Sequence, residues 1–180
     1  MDPLVFDITI ARPREEVFEY LADIANHAEF SDHFLVDWHL TREDSYGQGA
    51  GARYRVRAPL NRFAWADVSF VEVAAPRLIV ERGRFGKYNR NLMRGVYELD
   101  EGSGGTTRVR YTMETKPKRL SDKLVEKIAG GGWYKRKNGK ALRRLRSILE
   151  DGEDRGRRVT VAGGPRKPAS AFRFRPDLNQ

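Results

Sequence analysis

Apolar and polar residues alternate along most of the first 115 residues, the pattern of strands that bury one side. The clearest case is Thr107–Thr115, in which Val109, Tyr111 and Met113 share one side. The alternation predicts seven strands: Leu4–Ala11, Leu35–Arg42, Arg53–Ala58, Phe63–Ala74, Leu78–Phe85, Arg94–Asp100 and Thr107–Thr115. Because the other side of these strands is polar, we expect an antiparallel sheet with one dry face.

Two short helices are predicted between the first two strands. Pro13 fits the first turn of a helix, and Val17, Leu21 and Ile24 then recur at the i, i+4, i+7 spacing of a buried helical stripe. Ala28–Phe34 is predicted as the second short helix.

A long C-terminal helix is predicted over Leu120–Glu150. At 100° per residue, five apolar side chains lie within about 60° of Leu142: Leu120, Leu124, Ile128, Leu145 and Leu149. The middle of this face is formed by Gly131, Lys135 and Asn138, which suits a cavity beneath the centre of the helix. Alternatively, Gly130–Gly132 break the helix and the match in phase is coincidental, since each glycine costs about 1 kcal/mol relative to alanine.

Charge and composition divide the chain at about residue 150. The net charge is +9, and residues 116–150 contribute 12 basic side chains against 3 acidic ones. After Glu150 the sequence is rich in Gly, Arg and Pro and poor in apolar residues, which is typical of disorder. We therefore predict one domain over residues 3–150 and a basic, disordered tail over residues 151–180.

Composition also excludes several classes of protein. The chain has no cysteine, which excludes disulfide scaffolds and thiolate chemistry. No apolar run approaches the roughly 20 residues of a membrane helix, and the first residues do not resemble a secretory signal. The sequence thus predicts a soluble, cytoplasmic protein.

The order of the elements predicts an α+β fold, because the helices are segregated from a continuous run of strands. Several segments then resemble, in order and spacing, the START-like or helix-grip superfamily, which includes Bet v 1-type proteins and the polyketide cyclase/dehydrase and lipid transport (SRPBCC) families. They are residues 5–11 followed by 13–18, Leu21-Ala-Asp23 with Phe30, Ala75-Pro-Arg-Leu78, Gly105–Val109 and Leu142–Glu150. The chain departs from the usual pattern at Phe30, where Trp is more common, and at Ala75, where Pro is.

The resemblance implies a seven-stranded antiparallel sheet wrapped around the long helix, with a hydrophobic cavity between them. It does not imply one activity, because members bind lipids, hormones or polyketides and some are enzymes. Our leading hypothesis is binding of a hydrophobic or aromatic small molecule with a polar or anionic end. The alternatives are a polyketide cyclase-type enzyme, polarising carbonyls with Lys135, Tyr111 or Arg82, and an interaction protein acting through the basic helix and tail.

Candidate ligand-binding residues follow from the predicted inner surfaces. They are Tyr54, Arg82, Tyr97, Tyr111, Met113, Lys135 and Asn138. Arg82 is included because it shares strand parity with Leu78 and Val80, and with Lys135 it could hold an anionic group. The plain alternative for the aromatic residues and Met113 is ordinary core packing.

The outer side of the long helix carries a basic stripe: Trp133, Lys137, Lys140 and Arg144. We expect it to contact a polyanion or an anionic membrane surface weakly. The alternative is a solvated helix face without such a role.

The sequence indicates no metal or cofactor site. His27, His33 and His39 fit neither the i, i+4 spacing of a helical metal site nor alternate positions of a strand, so we expect surface or loop-capping histidines. No phosphate-binding or dinucleotide-binding motif follows a strand. No catalytic residue can be assigned.

Overall fold

The computed structural model describes residues 2–58, 65–118, 131–156, 159–161 and 164–165. Its strands are β1 (Leu4–Ile10), β2 (Leu35–Leu40), β3 (Gly51–Val56), β4 (Trp65–Ala74), β5 (Leu78–Phe85), β6 (Asn91–Glu101), β7 (Thr107–Lys116), β8 (Thr160–Val161) and β9 (Gly164–Pro165). Its helices are α1 (Arg14–Ala22), α2 (His27–Ser31) and α3 (Gly131–Asp151), with a 3-10 turn at Ile24–Asn26 before α2.

Strands β1 to β7 form one antiparallel sheet in the order β1-β7-β6-β5-β4-β3-β2. Each strand pairs with its neighbour in sequence, except that β1 closes onto β7. Helix α3 packs against β1 and α2. The α+β arrangement of a seven-stranded sheet and a long C-terminal helix, predicted from the alternation, is confirmed.

The core lies between the inner face of the sheet and the helices. Phe18 and Leu21 of α1, Leu99 of β6 and Leu145 of α3 are all fully buried. Their burial follows the predicted periodicities, two along the strands and 3.6 along the helices. The predicted helical segment before Gly131, with Leu120, Leu124 and Ile128, lies outside the described residues.

The buried face of α3 is rotated from the face predicted around Leu142. Ala141, Leu145 and Ile148 are buried together with Leu142. At 100° per residue, the middle of this set lies roughly 70° from Leu142. Leu142 therefore stands near one edge of the buried face and not at its centre.

The chain just after residue 150 packs onto the domain. The Gly156 amide donates a hydrogen bond of 2.8 Å to the Glu29 carbonyl, and Arg155 forms an ion pair of 3.2 Å with the Glu29 carboxylate. Val159 belongs to the hydrophobic core. The first residues of the predicted tail are thus not free chain, whereas disorder beyond residue 165 stays a prediction.

No helix in the described ranges is both long and apolar enough to cross a membrane. A cytoplasmic location stays a prediction of the sequence.

Candidate functional site

A small cavity lies between the inner face of the sheet, α2 and α3. Its volume is about 40 Å³, enough for about three or four water molecules at roughly 10–15 Å³ each. It is lined by Ile24, His27, Phe30, Ser31, Phe34, Leu35, Trp38, Tyr54, Val68, Glu81, Tyr97, Tyr111, Asn138 and Ala141. A space of this size does not hold a lipid or a polyketide without widening.

The three tyrosines predicted as ligand-binding residues all line this cavity. Tyr97 and Tyr111 are directly opposite each other in β6 and β7, and their rings stack with centroids 4.4 Å apart. Tyr54 packs on Trp38 of β2, with centroids 4.6 Å apart. All three tyrosines are buried because inward positions alternate along their strands.

Glu81 lies in the same cavity, where sequence reasoning did not place it. It is only 6% exposed, and its Oε1 accepts a hydrogen bond of 2.9 Å from the Tyr111 hydroxyl. Gly95 stands directly opposite in β6, and a Cβ there would lie 2.6 Å from the Glu81 Cγ. Glycine at position 95 therefore makes the room in which the Glu81 side chain sits.

Burial raises the pKa values of Glu81 and of the tyrosines around it. It raises the pKa of Glu81 to about 7, although the hydrogen bond from Tyr111 acts in the opposite direction. Burial, and then the nearby Glu81 charge, also raise the pKa values of Tyr97 and Tyr111 well above the usual value. Near neutral pH the site thus contains a carboxyl group that can gain or lose a proton beside neutral phenols.

His27 forms another wall of the cavity, so the expectation of a surface or loop-capping histidine is wrong for this residue. Its Nε2 lies 2.8 Å from the Leu21 carbonyl oxygen, to which it donates. Its ring packs between Phe30 and Phe70, with centroid distances of 5.2 and 5.4 Å. Burial lowers the pKa of His27 to about 4, so the ring stays neutral near pH 7.

The other two histidines lie elsewhere. His33 is half-buried, with Nε2 3.1 Å from the Lys137 carbonyl, and His39 is exposed beside Trp65, with ring centroids 6.1 Å apart. Among the residues that the structure describes, no group of three or more His, Asp or Glu side chains could hold a metal ion.

On α3, the structure separates the two predicted polar residues. Asn138 is buried at the cavity, and its Nδ2 donates to the Tyr134 carbonyl at 3.0 Å and lies 3.7 Å from the Met113 sulfur. Met113 is buried behind Asn138 and does not itself line the cavity. Lys135 is exposed, so its predicted place in the pocket is wrong. Around the helix axis, Leu142 lies between Lys135 and the centre of the buried face.

Arg82 does not point into the cavity, and that prediction is also wrong. Its strand β5 turns Ile79 and Glu81 inward, whereas Arg82 is exposed on the outer face of the sheet. Arg82 does share one side of the strand with Leu78 and Val80, but that side is the outer one. Both sides of β5 carry apolar residues, so alternation alone did not identify the inner side.

The predicted basic stripe on α3 is interrupted. Arg144 is buried, with Nη1 2.6 Å from the Asp32 carboxylate and Nε 3.3 Å from the Asp154 carboxylate. Trp133 is half-buried against Phe34, with ring centroids 5.8 Å apart. Arg144 thus joins α3 to α2 and to the following chain, and it is not part of an exposed stripe.

Comparison with known proteins identifies the family. Residues 4–150 match the model of the family described as polyketide cyclase / dehydrase and lipid transport. The chain therefore belongs to this family, in agreement with the resemblance found in its sequence. Family membership is consistent with binding of hydrophobic ligands. Among curated proteins, none matches the chain significantly.

Solved structures share the fold at low sequence identity. A protein from Chromobacterium violaceum is 16% identical, with a TM-score of 0.61 over 83% of this chain and 99% of its own. Truncated norcoclaurine synthase from Thalictrum flavum is 11% identical, with a TM-score of 0.64 over 84% of this chain and 95% of its own. A protein from Thermus thermophilus is 13% identical, with a TM-score of 0.60 over 82% and 96%. These likenesses support the helix-grip fold and no particular activity.

Proposed function

We propose that this protein binds a hydrophobic or aromatic small molecule between the sheet and α3, with the polar end of that molecule at Glu81 and Tyr111. The observation that carries the proposal is a hydrogen-bonded carboxyl and phenol pair, 2.9 Å apart, buried among aromatic side chains. A buried carboxyl group costs stability, so its presence beside Tyr111 favours a role in binding.

The polar end of the ligand is neutral or cationic. Lys135 and Arg82 do not line the cavity, and no lysine or arginine is among its lining residues in the described part of the chain. An anionic end would meet the Glu81 carboxyl without a compensating cation. A hydroxyl or an amine can donate to Glu81 in either protonation state of that carboxyl group, and a carbonyl oxygen can accept from it when it is protonated.

The ligand widens the space in which it binds. The cavity of about 40 Å³ is far below the roughly 300–1,000 Å³ of typical small-molecule sites. The part of the cavity wall that α3 supplies is Asn138 and Ala141. A shift of α3 away from the sheet would enlarge the cavity, and ligand binding would favour that conformation.

The test uses N-phenyl-1-naphthylamine, a neutral aromatic probe whose fluorescence rises in apolar surroundings. Ala141→Leu adds three carbon atoms at the cavity wall, whereas Lys140→Leu adds apolar surface on the exposed side of the same helix. We expect saturable binding to the wild type and to Lys140→Leu. For Ala141→Leu we expect affinity to fall by about fivefold or more, as overpacking of one side chain costs about 1–3 kcal/mol.

Thermal melting of each variant shows whether it is folded. A folded Ala141→Leu variant that binds the probe as the wild type does would contradict an interior site. So would the absence of saturable binding to the wild type.

A second candidate function is a polyketide cyclase-type enzyme in which Glu81 moves a proton. The observation that favours it is the pKa of Glu81, raised to about 7, since a general acid or base is most effective near the working pH. A Glu81→Gln variant keeps an oxygen that accepts from Tyr111 but cannot transfer the proton. We expect it to bind the naphthylamine probe and to lose turnover of any aromatic substrate converted by the wild type; equal turnover would exclude this role.

Weak contact between α3 and a polyanion remains a further proposal, limited to Trp133, Lys137 and Lys140. Lys137 places its Nζ 5.9 Å from the Trp133 ring centroid, and Lys140 is exposed. Retention on heparin should fall with rising salt. A Lys137→Ala/Lys140→Ala variant that is retained as strongly as the wild type would contradict the contact.

A further inference from the structure

The outer face of the sheet, on the side away from the cavity, carries a larger depression. This outer groove has a volume of about 540 Å³, which lies within the roughly 300–1,000 Å³ of small-molecule sites. It is formed by β4, β5, β6 and β7. Its lining includes four cationic and two apolar side chains: Arg82, Arg84, Arg94, Lys116, Val71 and Leu92.

Strand register concentrates positive charge in the outer groove. Arg82 stands directly opposite Arg94, and Leu92 stands opposite Arg84 on one side and Lys116 on the other. Side chains directly opposite one another in a sheet have Cβ atoms about 5 Å apart. Like charges so placed destabilise a sheet, and an anion between them would remove that repulsion.

The two acidic residues of the groove offset only part of the charge of its four cations. Asp67 stands opposite Arg84 in the register. Asp67 is engaged with Arg53, at 3.5 Å, and with the side-chain amide of Asn89, at 3.2 Å. Glu114 stands opposite Arg94 in the register, yet forms no ion pair with it within 4.0 Å among the described residues. The groove therefore keeps an excess of positive charge.

One part of the outer groove is apolar. Val71 and Leu92 are 37% and 47% exposed, and both line the groove. Leu92 is surrounded in the register by arginine and lysine. A ligand that matches this surface combines a strongly charged anionic group with an apolar portion.

We propose that the outer groove is a second binding site, for a phosphate-bearing ligand, with the phosphate between Arg82 and Arg94 and an apolar portion against Leu92. Two guanidinium groups can each donate two parallel hydrogen bonds to phosphate oxygens, and together they match the charge of a phosphate monoester. The ligand is a soluble phosphate ester or the headgroup of a phospholipid, which present the same chemistry. This site is independent of the interior one, because its side chains lie on the opposite face of the sheet.

The test measures binding of phenyl phosphate by titration calorimetry, and flotation with vesicles of phosphatidylcholine alone or with added phosphatidic acid. Arg82→Gln/Arg94→Gln removes the two opposed guanidinium groups. Arg136→Gln/Arg143→Gln removes the same charge from exposed positions of α3. We expect the first variant to weaken binding by about tenfold or more and the second by less than about twofold, since hydrogen bonds to charged groups are the strong ones.

Stability provides a second measurement. The melting temperature of Arg82→Gln/Arg94→Gln should equal or exceed that of the wild type, because a repulsion is removed. Phenyl phosphate should raise the melting temperature of the wild type and not of this variant.

The outcomes distinguish a soluble phosphate ester from a lipid headgroup, and they distinguish both from a nucleic-acid surface. Binding of phenyl phosphate supports a soluble ester, and binding only to vesicles with phosphatidic acid supports a lipid headgroup at the same arginines. No saturable binding at low salt, or equal losses in the two double variants, would overturn the proposal. Binding of single-stranded DNA without phenyl phosphate or vesicles would also overturn it, in favour of a nucleic-acid surface. None of these results affects the interior site, whose probe is uncharged.

Discussion

Replacing Glu81 by glutamine should make the stability of this protein less sensitive to a rise in pH from about 4.5 to about 7. In the folded protein burial raises the pKa of Glu81 to about 7 from its ordinary value of 4.5. The folded state therefore holds this proton more tightly than the unfolded chain, and stability is lost as pH rises from about 4.5 through 7. Between pH 5 and pH 8 this loss amounts to roughly 2 to 3 kcal/mol in the wild type.

Glutamine does not titrate, but its oxygen can still accept from Tyr111. The Glu81→Gln variant should thus gain roughly 2 to 3 kcal/mol relative to the wild type on going from pH 5 to pH 8. Urea denaturation at several pH values measures this difference. His27 contributes equally to both proteins, so its own titration cancels.

Glu72→Gln, on the exposed end of β4, is the matched control. Its stability should run parallel to that of the wild type. If the Glu81→Gln curve also runs parallel to the wild type, Glu81 is an ordinary carboxyl group and the interior site is wrongly described.

Three further predictions concern the same packing. His27 should stay neutral until about pH 4, and an NMR titration midpoint near the ordinary value of 6.5 would contradict its burial. Gly95→Ala should destabilise the fold by about 1–3 kcal/mol, because the new methyl group overlaps the Glu81 carboxylate; unchanged unfolding in urea would show that the space is not needed. Arg144→Gln should cost up to roughly 3–5 kcal/mol, because Asp32 loses the partner of a largely buried ion pair; a loss below about 1 kcal/mol would mean that the pair behaves as an exposed one.

The strands were predictable because burial of one face produces a local signal of period two. Tyr97 and Tyr111 lie inward as their alternation predicts. Alternation did not identify the inner side of strand β5, because Val80 on its outer side is also buried. The predicted inward position of Arg82 is consequently wrong, and Glu81, for which the sequence analysis makes no prediction, lies inward instead. A glycine directly opposite an acidic residue could have indicated the space for Glu81, but only once the register of β5 and β6 was known.

Residues whose environment depends on distant segments could not be assigned from the sequence. Arg144 occupies a position typical of an exposed helix face, yet Asp32, directly after α2, and Asp154, in the chain after α3, both form ion pairs with it. The polarity of His27 suggested exposure, whereas Phe30, Phe70 and Tyr97 enclose its ring. In both cases contacts that are long-range in sequence outweigh the local pattern.

Native mass spectrometry of the purified protein tests the central claim most directly, with the wild type and Ala141→Leu compared under identical conditions. We expect the wild type to carry a small molecule with an apolar body and a neutral or cationic polar group, and we expect Ala141→Leu not to carry it. Equal occupancy of the two proteins, or a wild type that neither carries such a molecule nor takes up added N-phenyl-1-naphthylamine, would contradict a ligand site between the sheet and α3.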